Sequence, residues 1–379
     1  MTDIAQSTAH TRIPLAVPDL RGRERDLLVK CVEQNWVSSA GPEVVAFEAA
    51  IARLTGRKHA IAVVNGTAGL HLALLVTGVK PGDHVAVPDW TFAATANAVA
   101  HAGAVPHFVD VDSEAWALDA SSLSRAMASD PRIRAVIAVD PMGHAADMDA
   151  IGAICRARRL PLIEDSAAAI GATYRGRPCG SLGDISVFSF NGNKTVTAGG
   201  GGMVMTDDDA MASFVRHLST QARPTREYVH DLVGYNYRMT NLNAAVGLAQ
   251  VERLHEMVAA KQAIAARYDS ELNGRNDIVA MPRPAACESS CWLYSVRLAD
   301  QGAAGALVAA MDAAGIEARI FWRSLSAQTP WATAPRTLAG RSTALSGTVV
   351  SLPCSSSLAE AEQDRVIAVL RRWRAPETV

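Results

Sequence analysis

The sequence predicts an α/β protein: a large, mostly parallel sheet with helices on both faces, followed by a small α+β unit. Three observations predict it. Short apolar runs recur with helical patterns between them, a long helical stretch occupies residues 241–272, and a second strand–helix series follows that stretch.

Taken in order, RERDLLVKCVEQNW and GPEVVAFEAAIARLTG place apolar residues at three- and four-residue intervals and read as amphipathic helices. HAIAVVN, DHVAVPD, VPHFVDVD, IRAVIAVD, LPLIED, DISVFSF and GGMVMTDDD then supply seven strands of a sheet buried on both faces. NLNAAVGLAQVERLHEMVAAKQAIAARYDSEL reads as one helix joining two domains, residues 1–250 with an N-terminal arm and residues 251–379. CWLYSVRL, ALVAAMDAAG, IEARIFW and AEAEQDRVIAVLRRW build the smaller one, with SLSAQTPWATAPRTLAGRSTALSG as loop or short helix.

The 379 residues are 49% apolar and carry 36 Lys+Arg against 38 Asp+Glu, so no overall basic field attracts nucleic acid or an acidic membrane. A small, locally bound ligand is expected instead. No apolar run approaches the roughly 18 residues of a spanning helix, and MTDIAQSTAHTR lacks the apolar centre of a signal peptide, so a cytoplasmic protein is expected. The six cysteines contain no CxxC pair and read as free thiols, and no metal site is expected.

Three segments carry chemistry. In HAIAVVNGTAGLHLALL a strand stops at Asn65-Gly66-Thr67 and a helix begins at once, which aims free N–H groups, a helix dipole and a hydroxyl at one point, as a phosphate requires. A structural strand-to-helix turn reads the same way. In LPLIEDSAAAIGA a strand ends in Glu164-Asp165, where an open α/β sheet places its ligand crevice. A carboxylate there could hold a protonated ring nitrogen, coordinate Mg2+, contact a ribose or cap a helix. In DISVFSFNGNKTVTAGGGGMVMTDD, Lys194 stands in a polar, Gly-rich loop, one of five lysines in a chain that otherwise uses arginine. Lysine can form a Schiff base and arginine cannot.

A phosphate turn, an acidic strand end and a loop lysine, in that order, describe a pyridoxal phosphate site, which also needs an aromatic on the cofactor ring. Trp90 in VPDWTF is the expected stacking residue.

The segments NGTAGLHLAL, PDWTFAATANA, EDSAAAIGA, SFNGNKTVTAGGGGM and GYNYRMTNLNAAVGLAQ resemble the DegT/DnrJ/EryC1/StrS family of pyridoxal phosphate-dependent sugar aminotransferases, over roughly residues 12 to 375. The resemblance implies pyridoxal phosphate fold type I, aspartate aminotransferase-like, and a homodimer with shared active sites. It implies Lys194 as the Schiff-base lysine, Asp165 on the pyridinium nitrogen, and Gly66, Thr67, the Ala68 backbone and Ser189 on the phosphate. Asn236 would reach the phosphate from the other subunit, with Arg238 ordering its loop or contacting substrate. Arg319 and His230 are expected on the substrate side, with Arg223 and Arg226 in the loop TQARPTREYVHD.

Within the family, the FNGNKT loop and YVHDLVGYNYRMTN look most like enzymes acting on 4-keto-6-deoxy nucleotide sugars, of the perosamine-synthase and bacillosamine- or legionaminic-acid-pathway types, with L-glutamate as donor. Two departures leave the substrate open: Ala168 stands where Gln, Glu or His is common, and Ser326 where the family segment often ends in His. A free keto-sugar acid is the alternative acceptor. A pyridoxamine-dependent dehydratase would carry His at position 194, and a non-catalytic regulator would not keep both Lys194 and Asp165.

Overall fold

The computed structural model describes residues 12–225 and 227–375. Arg226 and most of MTDIAQSTAHTR lie outside the described residues. The strands of the first half are β1 (His59–Val63), β2 (His84–Pro88), β3 (Val105–Val109), β4 (Ile133–Val139) and β5 (Leu162–Asp165). Two short strands, β6 (Thr173–Tyr174) and β7 (Arg177–Pro178), precede β8 (Ile185–Ser189) and β9 (Gly202–Thr206). After them come β10 (Ile278–Ala280), β11 (Cys287–Glu288), β12 (Tyr294–Leu298), β13 (Arg319–Phe321), β14 (Arg336–Thr337) and β15 (Val349–Leu352).

The seven expected strands form one sheet, in the order β1-β9-β8-β5-β4-β2-β3, and β14 extends it at the β3 edge. Only β9 runs antiparallel to its neighbours β1 and β8. The eighth strand escaped the sequence reading because its two residues carry no periodic signal; Arg336 and Thr337 pair with Phe108 and Val109. A second sheet, β10-β12-β15-β13, is antiparallel throughout.

Side chains alternate across a strand, and β4 divides its apolar residues accordingly. Ala135, Ile137 and Val139 enter a core with Leu70, Leu72 and Val187 on one face. Val136 and Ala138 enter another with Leu123, Met148 and Ile151 on the opposite face. Strand β5 repeats the division, with Ile163 in the first core and Leu162 in the second. This pleat decides which acidic strand-end residue meets the ligand crevice.

The single long helix expected over residues 241–272 is two helices, Asn241–Glu252 and Leu254–Leu272. Arg253 breaks it at φ −108°, ψ 7°, where its guanidinium binds Asp19 and Glu256 while Gln250 Nε2 donates to the Asp19 carbonyl at 2.8 Å. The docked N-terminal segment thus binds Gln250 just before the break and Arg253 at it. Ile13 of that segment bridges Ile316 and packs into the core around β12 and β15 with Tyr268 and Val350. No helix among the described residues is long and apolar enough to cross a membrane.

Candidate active site

The carboxyl ends of β4, β5 and β8, the turn after β1 and the loop after β8 enclose a cavity of about 400 Å³. Strand β1 gives way to a helix, Gly66–Val76, at Asn65, whose side chain caps it by accepting from Ala68 N at 2.8 Å. The Gly66 and Thr67 N–H groups lie in the first turn, where no intrahelical acceptor exists. A Cβ on Gly66 would stand 3.0 Å from the Ser189 Cβ, and one on Gly202 would stand 2.7 Å from the Asn65 carbonyl carbon. Both glycines are needed for this close approach of the helix start to β8 and β9.

Asp165 ends β5 on the same face as Ile163 and is 4% exposed. Its Oδ2 accepts from Thr95 Oγ1 at 2.7 Å and its Oδ1 from Ala167 N at 3.3 Å. Burial pushes its carboxyl above the usual range, against the lowering effect of Thr95, Ala167 and the Lys194 charge. Lys194 lies in the loop after β8, with its Nζ 3.8 Å from the centroid of the Trp292 ring. Burial lowers its amine to about 8, with Asp165 acting in the opposite direction. The residue as a whole is half-buried and lines the cavity.

Gly66, Thr67, Asp165, Ser189, Lys194 and Arg319 all line this cavity. Arg319 pairs with Glu317 at 2.6 Å and keeps 66% of its side chain exposed at the rim. A second cleft, of about 450 Å³, is lined by Asp112, Glu114, Asp119 and Asp147 and holds no lysine. The chemistry-bearing groups converge in the smaller one.

Several expected residues stand elsewhere. Trp90 is 1% exposed and does not line the cavity. Its ring packs against Trp116 and Trp322, and its Nε1 donates to the Trp322 carbonyl at 3.0 Å. Phe92, 61% exposed and two residues further along PDWTF, lines the cavity instead, together with Trp292, Phe321 and Trp322. The Ala68 N–H is not available to a ligand, because Asn65 accepts it. Arg238 is held at 2.9 Å by both Glu48 Oε1 and the Ala62 carbonyl, so its guanidinium fixes the loop to β1 instead of meeting substrate.

His230 is exposed, with Nδ1 2.7 Å from the Gln221 carbonyl, and Arg223 lies over Tyr228; neither borders the cavity. Asn236 is also exposed and away from its own chain's cavity, bridging Thr220. Ser326 is buried, its N–H donating to Asp89 Oδ1 at 2.8 Å, whereas Ala168 does line the cavity.

The sequence reading missed Thr95, Phe92 and Trp292. Thr95 and Phe92 had a local signal, since both lie in TFAATAN directly after a strand end. Trp292 had none: a residue nearly a hundred positions from Lys194 reaches its amine, and its Nε1 donates to the Asn193 carbonyl at 2.8 Å.

Two buried groups, His84–His107–Asp130 and Asp140–Glu164–Cys179, bring possible metal-ligand atoms within 4.8 Å of one another. In the first, Asp130 is engaged by both imidazoles and by Arg132, a cation competing for the same carboxylate. The second is a hydrogen-bonded network, described below.

First-turn N–H groups and hydroxyls at one end, an exposed aromatic face, a buried carboxylate and an amine of lowered pKa suit pyridoxal phosphate. That cofactor has an anionic end, a flat ring with a basic nitrogen and an aldehyde.

Comparison with known proteins agrees with this chemistry. The model of the DegT/DnrJ/EryC1/StrS aminotransferase family matches residues 18–371. GDP-perosamine synthase of Caulobacter vibrioides is 42% identical over 363 residues, 95% of this chain and 97% of that protein. Spore coat polysaccharide biosynthesis protein SpsC of Bacillus subtilis is 37% identical, with 68% of each chain covered. The crystal structure of S. venezuelae DesV in complex with a ketimine intermediate superposes with a TM-score of 0.89 at 31% identity, covering 96% of this chain and 98% of that one. The chain therefore belongs to the DegT/DnrJ/EryC1/StrS aminotransferase family and is a pyridoxal phosphate-dependent aminotransferase.

Proposed function

We propose that this enzyme moves an amino group from L-glutamate to the keto group of a sugar, a 4-keto-6-deoxy nucleotide sugar, in cytoplasmic synthesis of surface polysaccharide or amino sugars. The observation that carries the reading is the meeting of Lys194 and Asp165 in one cavity beside a helix start. The names of the perosamine synthase and spore-coat relatives support the sugar and the polysaccharide.

When bound, pyridoxal phosphate supplies an aldehyde that takes up an amine and a ring that accepts electrons from the neighbouring carbon. The first-turn N–H groups of Gly66 and Thr67 and the hydroxyls of Thr67 and Ser189 hold its phosphate. Phe92 covers one ring face, and Asp165, steadied by Thr95, holds the proton of the ring nitrogen. Lys194 moves a proton between the carbon that carries the amino group and the cofactor; an amine at about 8 has a neutral fraction available for this near neutral pH. Arg319 meets an acidic group of the substrate at the rim.

A second copy of the chain completes the site in this reading, with Asn236 on the neighbour's phosphate. Tyr228, Val229, Leu232 and Val233 leave 87%, 57%, 49% and 84% of their surface exposed just before it, an apolar stretch that a partner would cover. Residues 1–250 then form most of the cofactor-binding body and residues 251–379 most of the smaller body, with Ile13 packing into the smaller core and β14 joining the large sheet.

Phe92 and Trp90 separate under substitution. Phe92→Ala is expected to weaken pyridoxal phosphate retention about 2–10-fold, the worth of one aromatic contact, with little loss of stability. Trp90→Ala is expected to destabilise the fold by about 3–5 kcal/mol. Equilibrium dialysis of cofactor and urea unfolding read the two effects, and the opposite pattern would return the stacking role to Trp90.

The reading itself is tested by a panel of amino acceptors with L-glutamate as donor, followed by mass spectrometry of the aminated sugar. A 4-keto-6-deoxy nucleotide sugar is expected to react, and free keto-sugar acids are not. Turnover of the free acids alone would replace the substrate assignment.

A further inference from the structure

Glu164, on the face of β5 opposite Asp165, and Asp140, a residue that also borders the cavity, are fully buried and share one hydroxyl. Ser166 Oγ lies 2.6 Å from Asp140 Oδ2 and 2.8 Å from Glu164 Oε1. A serine carries one hydrogen, so it can donate to only one of them, and the other contact needs a proton of its own.

The surroundings say which carboxyl holds it. Glu164 receives, besides Ser166, the N–H groups of Gly180, Leu182 and Gly183 at 2.6, 2.7 and 3.0 Å and the Ser186 hydroxyl at 2.8 Å. Its lone pairs are filled by donors, which leaves no room for a proton or a cation. Ser186 is free to donate because its oxygen already accepts from Arg57 Nη2 at 3.3 Å. Asp140 receives one backbone donor, Ala146 N, at 3.2 Å on Oδ1, and its Oδ2 meets the Ser166 hydroxyl, with the Glu164 carboxyl also close to it.

We propose that Asp140 is a neutral carboxylic acid that donates to Ser166, which in turn donates to the Glu164 carboxylate, and that this chain positions Asp165. The coupling is direct. The Asp140 N–H donates to the Asp165 carbonyl at 3.0 Å, and Ser166 begins the turn whose Ala167 N–H holds Asp165 Oδ1. Loss of the proton would set two carboxylates on one hydroxyl and push that turn apart. Asp140 is therefore a positioning residue, and it rests on the proposed pairing of Asp165 with the cofactor ring nitrogen.

The titratable groups facing Asp140 are Glu164 on β5 and the thiols of Cys179 and Cys287, with Arg57 behind Ser186. Burial, and then the Glu164 charge, push the Asp140 carboxyl well above the usual range. A group whose folded-state pKa is raised contributes stability that is complete below its unfolded pKa and is lost as pH rises through the folded one.

The test is urea unfolding of cofactor-free wild type and Asp140→Asn between about pH 5 and 7. Asparagine keeps one donor to Ser166 and one acceptor for Ala146. The folded wild type is expected to hold one more proton relative to its variant, so the ratio of their unfolding constants rises tenfold per pH unit. Parallel curves would mean an ionised Asp140 and overturn the proposal.

Should Asp140→Asn not fold, carboxyl-13C aspartate in Asp165→Asn protein must show a buried protonated aspartate at neutral pH, and its absence is equally decisive against it. Ser166→Ala then tests positioning: it is expected to shift the pH midpoint of the visible absorbance of pyridoxal phosphate-loaded protein. An unmoved midpoint removes the link to Asp165. Failure of wild type to give any visible band would instead count against the proposed roles of Lys194 and Asp165, with the unfolding result standing apart.

Discussion

Replacing Lys194 with alanine is expected to lower turnover by at least about 10⁴-fold while the protein still folds, because the lysine both bonds the cofactor aldehyde and carries the proton. Arginine at this position is expected to be equally silent, since it stays protonated. Absorbance after reconstitution gives the readout: L-glutamate should bleach the visible band of wild type and leave Lys194→Ala unchanged. Glutamate-dependent bleaching with full turnover in the variant would remove Lys194 from the mechanism.

The same variant has a pH signature in the cofactor-free protein. Burial depresses the amine from 10.5 to about 8, so the folded state is penalised in full below about 8 and not at all above 10.5. Lys194→Ala is thus expected to be more stable than wild type at neutral pH, with the difference closing as pH rises. A stability difference that stays constant from pH 7 to 11, on an order-of-unit pH scale, would mean an unburied amine.

Asp165→Asn is expected to reduce kcat by roughly 10²–10⁴-fold, from about 3–5 kcal/mol for removing one partner of a buried charge pair. Asparagine still accepts from the Ala167 N–H through its oxygen, and its NH2 donates to the Thr95 hydroxyl, so the fold and the phosphate contacts remain. Cofactor-free wild type loses stability as pH rises through the raised Asp165 value, because the buried carboxyl is favoured in its neutral form. Asp165→Asn is expected to remove that loss. Stopped-flow half-reactions with glutamate check the first effect and urea unfolding against pH the second; an unchanged half-reaction would release Asp165 from the ring nitrogen.

Lys194, Asp165, Gly66 and Thr67 were visible in the sequence because each is a distinctive residue type beside a strand end, and the strand ends converge on one crevice, whereas Ser189 came only from the family resemblance. The resemblance singled out Asp165 over its neighbour Glu164, and the pleat gives the physical reason. The two are adjacent, and only the alternation along β5, fixed by Ile163 and Leu162 in opposite cores, turns Asp165 toward the ligand and Glu164 toward Ser166 and Gly180. Trp90 and Phe92 are separated in a similar way. The larger aromatic found a closed apolar site against Trp116 and Trp322, which left the smaller one on the cavity.

Arg238 shows the limit for charged residues. Nothing near GYNYR in sequence announces Glu48, nearly two hundred residues earlier, yet this partly buried pair decides where the guanidinium goes. The break at Arg253 has the same origin, since helical periodicity continues through it and the docked Asp19 interrupts it.

By itself, then, the sequence determined the α/β class, the seven main strands and the residue types that carry the chemistry, because periodicity and strand-end position are local properties of the chain. The tertiary structure alone decided the eighth strand, the Phe92 face, the Trp292 contact with Lys194 and the proton shared through Ser166. Each depends on groups distant in sequence meeting in a dry interior, where packing and the count of hydrogen-bond donors leave one arrangement.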